Sequence, residues 1–311
     1  MRRLPVLLAM LVALAAAAPA FASERLSETN VKDATLKVNR AGEGLVTYRR
    51  GDGVTRHVLV WGARGALHPS PDVRQVRFKY DYAGGWGKYR RSTWKTFRNA
   101  CRPYDGPALV YLVAACKAPD GSYWALQTWR RGLPLLGFAP WLPAHSAYEL
   151  HVSHWSGDLA LLEVSPNWTY GGRFQGLFGR FTYLGVPVHG FAATSTGNPR
   201  DRYSRNLYID TYDSAYGPGW MRESGILAHR PTGTFCHSFT PQRPFPGYPS
   251  RELRPAAPGK RYRVTVMGPG VTPVIQWEGA GPGAYDAERD ERFNWTFDRL
   301  MAGDRICARE R

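Results

Sequence analysis

Residues 88–102 hold Lys88, Arg90, Arg91, Lys95, Arg98 and Arg102, interleaved with Tyr89, Trp94 and Phe97, and no acidic residue interrupts them. Guanidinium and ammonium groups at this density can grip phosphate, sulfate or carboxylate through charge-assisted hydrogen bonds. A helix over 92–101, with Ser92 as N-cap, would gather Arg91, Lys95, Arg98 and Arg102 within about 60° of arc. Trp94, Phe97 and Cys101 would form the adjacent face. The plainer role for the same pattern is a solvated basic face on a helix whose aromatic side packs on a sheet.

Aromatic rings beside glycines form a second group. Trp86 closes Tyr82-Ala-Gly-Gly-Trp86, Trp168 and Tyr170 precede Gly171-Gly172, and Trp220 follows Tyr216-Gly-Pro-Gly219. Rings on loops can stack on the apolar faces of sugars, and loops carry function on β scaffolds. Most rings in a β-sandwich are core, so each of these also has a packing role open to it.

The third group is the strand pattern 206–213, where Tyr208, Asp210 and Tyr212 alternate with Leu207 and Ile209. A carboxylate between two phenols can hydrogen-bond sugar hydroxyls or a cation. The alternative is an ordinary outer face of an antiparallel sheet. Acids that could pair for glycoside hydrolysis, roughly 5–10 Å apart across a cleft, are Glu149, Asp158, Glu163, Asp210, Asp213 and Glu223. Glu149 and His151 are two apart on a predicted strand and so share a face. His151 and His154 are three apart and point to opposite faces, which excludes chelation of one metal from that strand.

Several motifs fail on context. Ala193-Thr-Ser195-Thr-Gly197 imitates a nucleophile elbow, with Asp210 and His229 or His237 following, but no βαβ rhythm surrounds it. Zincin, Walker and dinucleotide motifs are missing from the sequence, so neither metal nor cofactor is expected. Asn167-Trp-Thr169 and Asn294-Trp-Thr296 match the glycosylation sequon.

The elements that must position these residues read as strands. Period-two alternation and turn residues mark strands at 34–39, 44–50, 54–61, 73–82, 108–115, 123–130, 147–154, 158–164, 178–184, 186–191, 206–212, 225–229, 233–239, 260–267 and 273–278. Ala118-Pro-Asp-Gly121 is a turn with a mechanism, since Pro presets φ and Gly accepts positive φ. Helical periodicity survives at 287–302, where Phe293, Phe297, Leu300 and Met301 share a face and Gly303 can end the helix. The expected fold is all-β, an antiparallel β-sandwich of jelly-roll-like type, with a short N-terminal β-meander and one C-terminal helix. The divisions are 1–22 as signal peptide, 23–62 as the meander, which the main domain could absorb, and 63–311 as the disulfide-containing sandwich. No fixed-period repeat is present, which disfavours propellers and solenoids.

Composition fits this reading. The chain has 311 residues, 43% hydrophobic and 21% charged, a globular balance that excludes a disordered chain. Met1-Arg2-Arg3, an apolar stretch Leu4–Ala18 and Ala20-Phe21-Ala22 form a signal peptide cleaved after Ala22, which predicts a secreted or periplasmic product. No later apolar run is long enough to span a bilayer. Export makes the four cysteines readable as two disulfides, Cys101–Cys116 and Cys236–Cys307 among three possible connectivities. Forty-one basic residues against 25 acidic give a net charge of +16, of which the leader contributes two arginines. Such a balance favours anionic partners.

Export, β architecture, loop aromatics and positive charge together point to a binding protein for an extracellular or cell-envelope polysaccharide, an anionic one in particular. The candidate ligand-binding residues are Trp86, Tyr89, Arg91, Lys95, Arg98, Trp168, Tyr170, Tyr208, Asp210, Tyr212 and Trp220. A polysaccharide-degrading hydrolase or lyase on a similar scaffold is one alternative, and a structural or protein-interaction role without glycan another. Nucleic acid ranks lower, because it needs a basic stripe continuous with 88–102.

Overall fold

In the computed structural model, the described residues are 23–63, 78–86, 92–130, 147–188, 206–224, 233–241, 255–267 and 273–300. They form an all-β, sandwich-like fold of four antiparallel sheets with a C-terminal helix. No helix among them is long and apolar enough to cross a membrane.

The strands share out between two cores. In the first, β1 (Ser23–Thr29), β9 (Tyr148–Trp155), β8 (Tyr123–Arg130), β7 (Leu112–Lys117) and β6 (Arg102–Pro103) form one sheet in that order. The meander β2 (Lys32–Val38), β3 (Gly44–Arg49), β4 (Thr55–Trp61) and β5 (Lys79–Asp81) covers one face of it. Leu26, Val38, Val46, Val58, Val60, Trp124, Leu126, Leu150 and Val152 make one buried cluster between them. Residues 23–29 thus hydrogen-bond to β9, with Ser23 opposite Ser153.

In the second, β10 (Leu161–Thr169), β11 (Phe174–Tyr183), β12 (Val186–Pro187) and β15 (Thr234–Ser238) form one sheet. They share a core with β14 (Gly217–Ser224), β13 (Asn206–Ser214), β16 (Arg261–Met267) and β17 (Ile275–Ala280). Phe181, Phe235, Phe239, Tyr262 and Leu207 fill it. Strand β14 was not expected from sequence, because Gly217-Pro-Gly-Trp220 reads as a turn. It pairs with β13 through a bulged register that admits the glycines.

Strand β8 shows why the two cores meet. Trp124 and Leu126 face the meander, whereas Gln127 and Trp129 face the other way and are buried as well. Trp129 joins Tyr208 and Val274 in a small third cluster. Gln127 fills its amide valences there: Nε2 donates to Val110 O (2.8 Å) and Val274 O (3.1 Å), and Oε1 accepts from Val274 N (2.9 Å).

The C-terminal helix α2 (Ala287–Leu300) begins at Asp286, whose Oδ1 accepts from Arg289 N while Asp290 Oδ2 accepts from Asp286 N, each at 2.8 Å. This is a reciprocal capping arrangement. Phe293 and Phe297 turn inward, as their spacing predicts, with Phe297 5.2 Å from Phe178.

The expected helix over 92–101 is shorter. Helix α1 is the single turn Thr93–Thr96, and Phe97 is already extended. Ser92 stands at the N-cap with φ 66 and makes no side-chain cap. Two β-branched threonines and an absent acidic first turn weaken the helix locally, and Asn99 then holds the chain extended. Lys95, Arg98 and Arg102 therefore do not share the expected 60° helical arc, and Arg91 lies outside the described residues.

Candidate functional site

Asn99 organises the stretch after α1. Its Oδ1 accepts from Val38 N (3.0 Å) and Cys101 N (3.2 Å), while Ala100 N donates to Val38 O (2.7 Å). This lays residues 97–102 beside the end of β2. Cys101 is disulfide-bonded to Cys116 on β7, Cα to Cα 5.6 Å, as the sequence predicts. Arg102 and Pro103 then pair with Lys117 and Cys116. Cys236 is also disulfide-bonded, but its expected partner, Cys307, lies outside the described residues.

The opposite wall is the β2–β3 turn. Asn39 Oδ1 accepts from Ala41 N and Glu43 N, both at 3.0 Å, and fixes Arg40 at the tip. The β7–β8 turn supplies Pro119. It closes with Gly121 N on Ala118 O (3.0 Å) and Gly121 at φ 85, the conformation expected for Pro-Asp-Gly.

These walls enclose a cleft of about 840 Å³, a size that holds a small ligand or a few sugar units. Arg40, Arg98 and Arg102 line it with Asn39, Thr93, Thr96 and Asn99, and among the described residues no acidic one does. Arg102 Nη2 reaches Ala118 O at 3.5 Å. Among the described residues none of the three arginines has an ion pair. Elsewhere the pairing is extensive. Arg25 holds Glu149, Arg49 Asp33, Arg56 Glu28, Arg222 Asp210, and Arg261 and Arg263 share Glu278. The cleft thus keeps a positive charge of the kind that is neutralised at those arginines.

Aromatic groups adjoin the cleft. Trp94, 37% exposed, stacks on the His57 ring at 4.1 Å and 10°, with Lys95 Nζ 5.4 Å from its centroid. Trp94 N donates to Gly84 O at 3.2 Å. A Cβ on Gly84, whose φ is +69, would lie 2.9 Å from His57 Cβ, so this contact requires glycine. The same turn presents Trp86, 52% exposed. Burial, reinforced by the charge of Lys37, lowers the His57 pKa.

Of the sequence candidates, Trp86, Lys95 and Arg98 come to this region. Tyr89 and Arg91 lie outside the described residues, as do the Ser195 motif and His229. Trp168 and Tyr170 stand on the β10–β11 hairpin in the second sandwich. Tyr208, Asp210, Tyr212 and Trp220 do share one face of the β14-β13-β16-β17 sheet. There Tyr208 and Asp210 are buried, Asp210 is bound by Arg222, and the Arg222 guanidinium lies 4.2 Å over Tyr208. Trp220 is 5.2 Å from Tyr212 and carries the Arg263 guanidinium at 3.9 Å. This face stacks its cations on its own rings.

Glu149, Asp213 and Glu223 are separately engaged. Glu149 Oε2 meets His151 Nε2 at 3.1 Å on the expected shared face, Asp213 pairs with Lys260 at 3.3 Å, and Glu223 lies 3.8 Å from His237. His154 points to the opposite face, against Trp124 and Ser122 Oγ. Asn167 of the first sequon is buried and donates to Asn294 of the second.

Sequence reasoning missed Arg40, Asn39 and Asn99. The turn Asn39–Gly42 was legible locally, but nothing in the sequence sets residue 40 opposite residue 98. No family model, curated protein or solved structure matches the chain.

Proposed function

We propose that the protein binds a polysaccharide bearing carboxylate, sulfate or phosphate groups, and that the arginine cleft is the binding site. The observation that carries this is the trio Arg40, Arg98 and Arg102, which among the described residues have no ion pair and line a cleft with no acid. Guanidinium groups suit planar or tetrahedral oxyanions through paired N–H donors. Thr93, Thr96 and the Asn99 amide add donors suited to an acceptor-rich ligand, and Trp94 and Trp86 offer flat apolar surface nearby.

The test is titration of the oxidised protein with heparin, polygalacturonate, uncharged dextran and duplex DNA at low and high salt. The reading expects binding to the anionic sugars and loss of at least tenfold in affinity for Arg98→Ala with Arg102→Ala. Equal binding by the double variant would overturn it. Preference for DNA with a steep salt slope would replace the polysaccharide with nucleic acid.

A further inference from the structure

Helix α1 is a single turn that buries none of its residues and lacks a side-chain cap. One turn fixes several dihedrals for one hydrogen bond, here Lys95 N to Ser92 O at 2.9 Å, and is unstable by itself. Trp94 docks it. The indole lies 4.1 Å from the His57 ring with 10° between the planes, a stacked pair, and Trp94 N donates to Gly84 O at 3.2 Å. His57 is set by the meander. Its neighbour Val58 points into the core, so His57 points to the meander's other face. There it stands opposite Thr47 of β3, whose Oγ1 meets His57 Nδ1 at 2.9 Å. Gly84 lies against both partners: a Cβ there would come within 2.9 Å of His57 Cβ and 3.1 Å of Trp94 Cδ1.

The docked turn carries part of the cleft. Thr93 and Thr96 are three apart and so share one side of it. Both line the cleft, as does Arg98 two residues further on. Arg98 thus stands between two anchors, Trp94 before it and Asn99 after it, and Asn99 is fixed to Val38 N. Neither His57 nor Trp94 is among the described residues that line the cleft. We infer that His57 and Trp94 are the positioning pair of the arginine cleft: their stack holds α1 where Thr93, Thr96 and Arg98 face the same ligand as Arg40. The inference rests on the reading of that cleft as an anion site. It gives Trp94 a role other than contact with a sugar, because an anchor acts on any anion, with or without an apolar face.

The test is calorimetric titration with inorganic tripolyphosphate, a polyanion without a sugar ring, at low salt, each variant first shown folded by far-UV circular dichroism. His57→Phe keeps a ring at position 57 and gives up the Thr47 hydrogen bond; it should bind within about twofold of wild type. His57→Ala and Trp94→Ala should each lose at least about fivefold. His57→Leu, which fills the space without a stacking ring, takes the place of His57→Ala if the latter does not fold. In an Arg98→Ala background, His57→Ala should cost less than about twofold more, because the group it positions is already gone. Wild-type affinity in His57→Ala, a loss in His57→Phe equal to that in His57→Ala, or an additive loss with Arg98→Ala would each overturn the inference. The two readings fail separately. Wild-type affinity in the Arg98→Ala, Arg102→Ala variant removes the cleft itself as the site. A loss in that variant with none in His57→Ala leaves the cleft standing and removes only the anchor.

Discussion

Arg98 and Arg102 differ from Arg222 and Arg263 in what surrounds them and not in residue type. Arg222 and Arg263 are committed to Asp210 and Glu278, so their replacement should lower stability and leave anion affinity alone. Replacing Arg98 should do the reverse: the thermal midpoint holds, and the slope of log affinity against log salt falls by about 1. His57 gives a pH signature. Its lowered pKa means that the unfolded chain takes up a proton first as pH falls. Stability is therefore full above the ordinary histidine pKa and declines as pH drops through it toward the lower folded value. A thermal scan from pH 8 to 5 should show this decline, and His57→Gln should flatten it. At this scale the sequence was partly legible. Local density of cations flagged Lys95 and Arg98, but whether an arginine is neutralised depends on cross-strand partners such as Glu278, which one strand alone does not reveal.

At the scale of elements, the cleft depends on residues 97–102 being extended and held from both sides. Period-two alternation located most strands within a few residues, although β8 and β9 are buried on both faces, and the Pro-Asp-Gly turn behaved as its chemistry demands. The helix over 92–101 failed because a tertiary hydrogen bond, Asn99 to Val38, outcompetes a weak local propensity. Strand β14 was hidden by glycines that a bulge accommodates. The Cys101–Cys116 bridge closes a loop with a sequence separation of 15 and should contribute about 3 kcal/mol in the chain-entropy model. Cys101→Ser with Cys116→Ser should lower stability by that order in urea titrations. It should also weaken anion binding, because Arg98 and Arg102 lose their fixed distance from Arg40. Unchanged anion affinity in a folded double variant would show that Asn99 alone positions the wall.

For the whole molecule, two sandwich cores are joined through Gln127, Trp129, Tyr208 and Val274. The alternation of β8 announced one buried face, and the buried glutamine on its other face was not legible because it satisfies partners some 147 positions away. Gln127→Leu should cost about 1–3 kcal/mol by stranding the Val274 amide and carbonyl, measurable by urea denaturation. The cationic cleft lies on the first of these cores, between the β2–β3 turn, residues 97–102 and the β7–β8 turn. The central claim is that the cleft is the anion site. Its most direct test is calorimetric titration of wild type and the Arg98→Ala, Arg102→Ala variant with polygalacturonate at two salt concentrations. The account predicts wild-type binding that weakens with salt and at least a tenfold loss in the variant, with a salt slope reduced by about 2. Equal affinity and equal salt slope in the two proteins would contradict it.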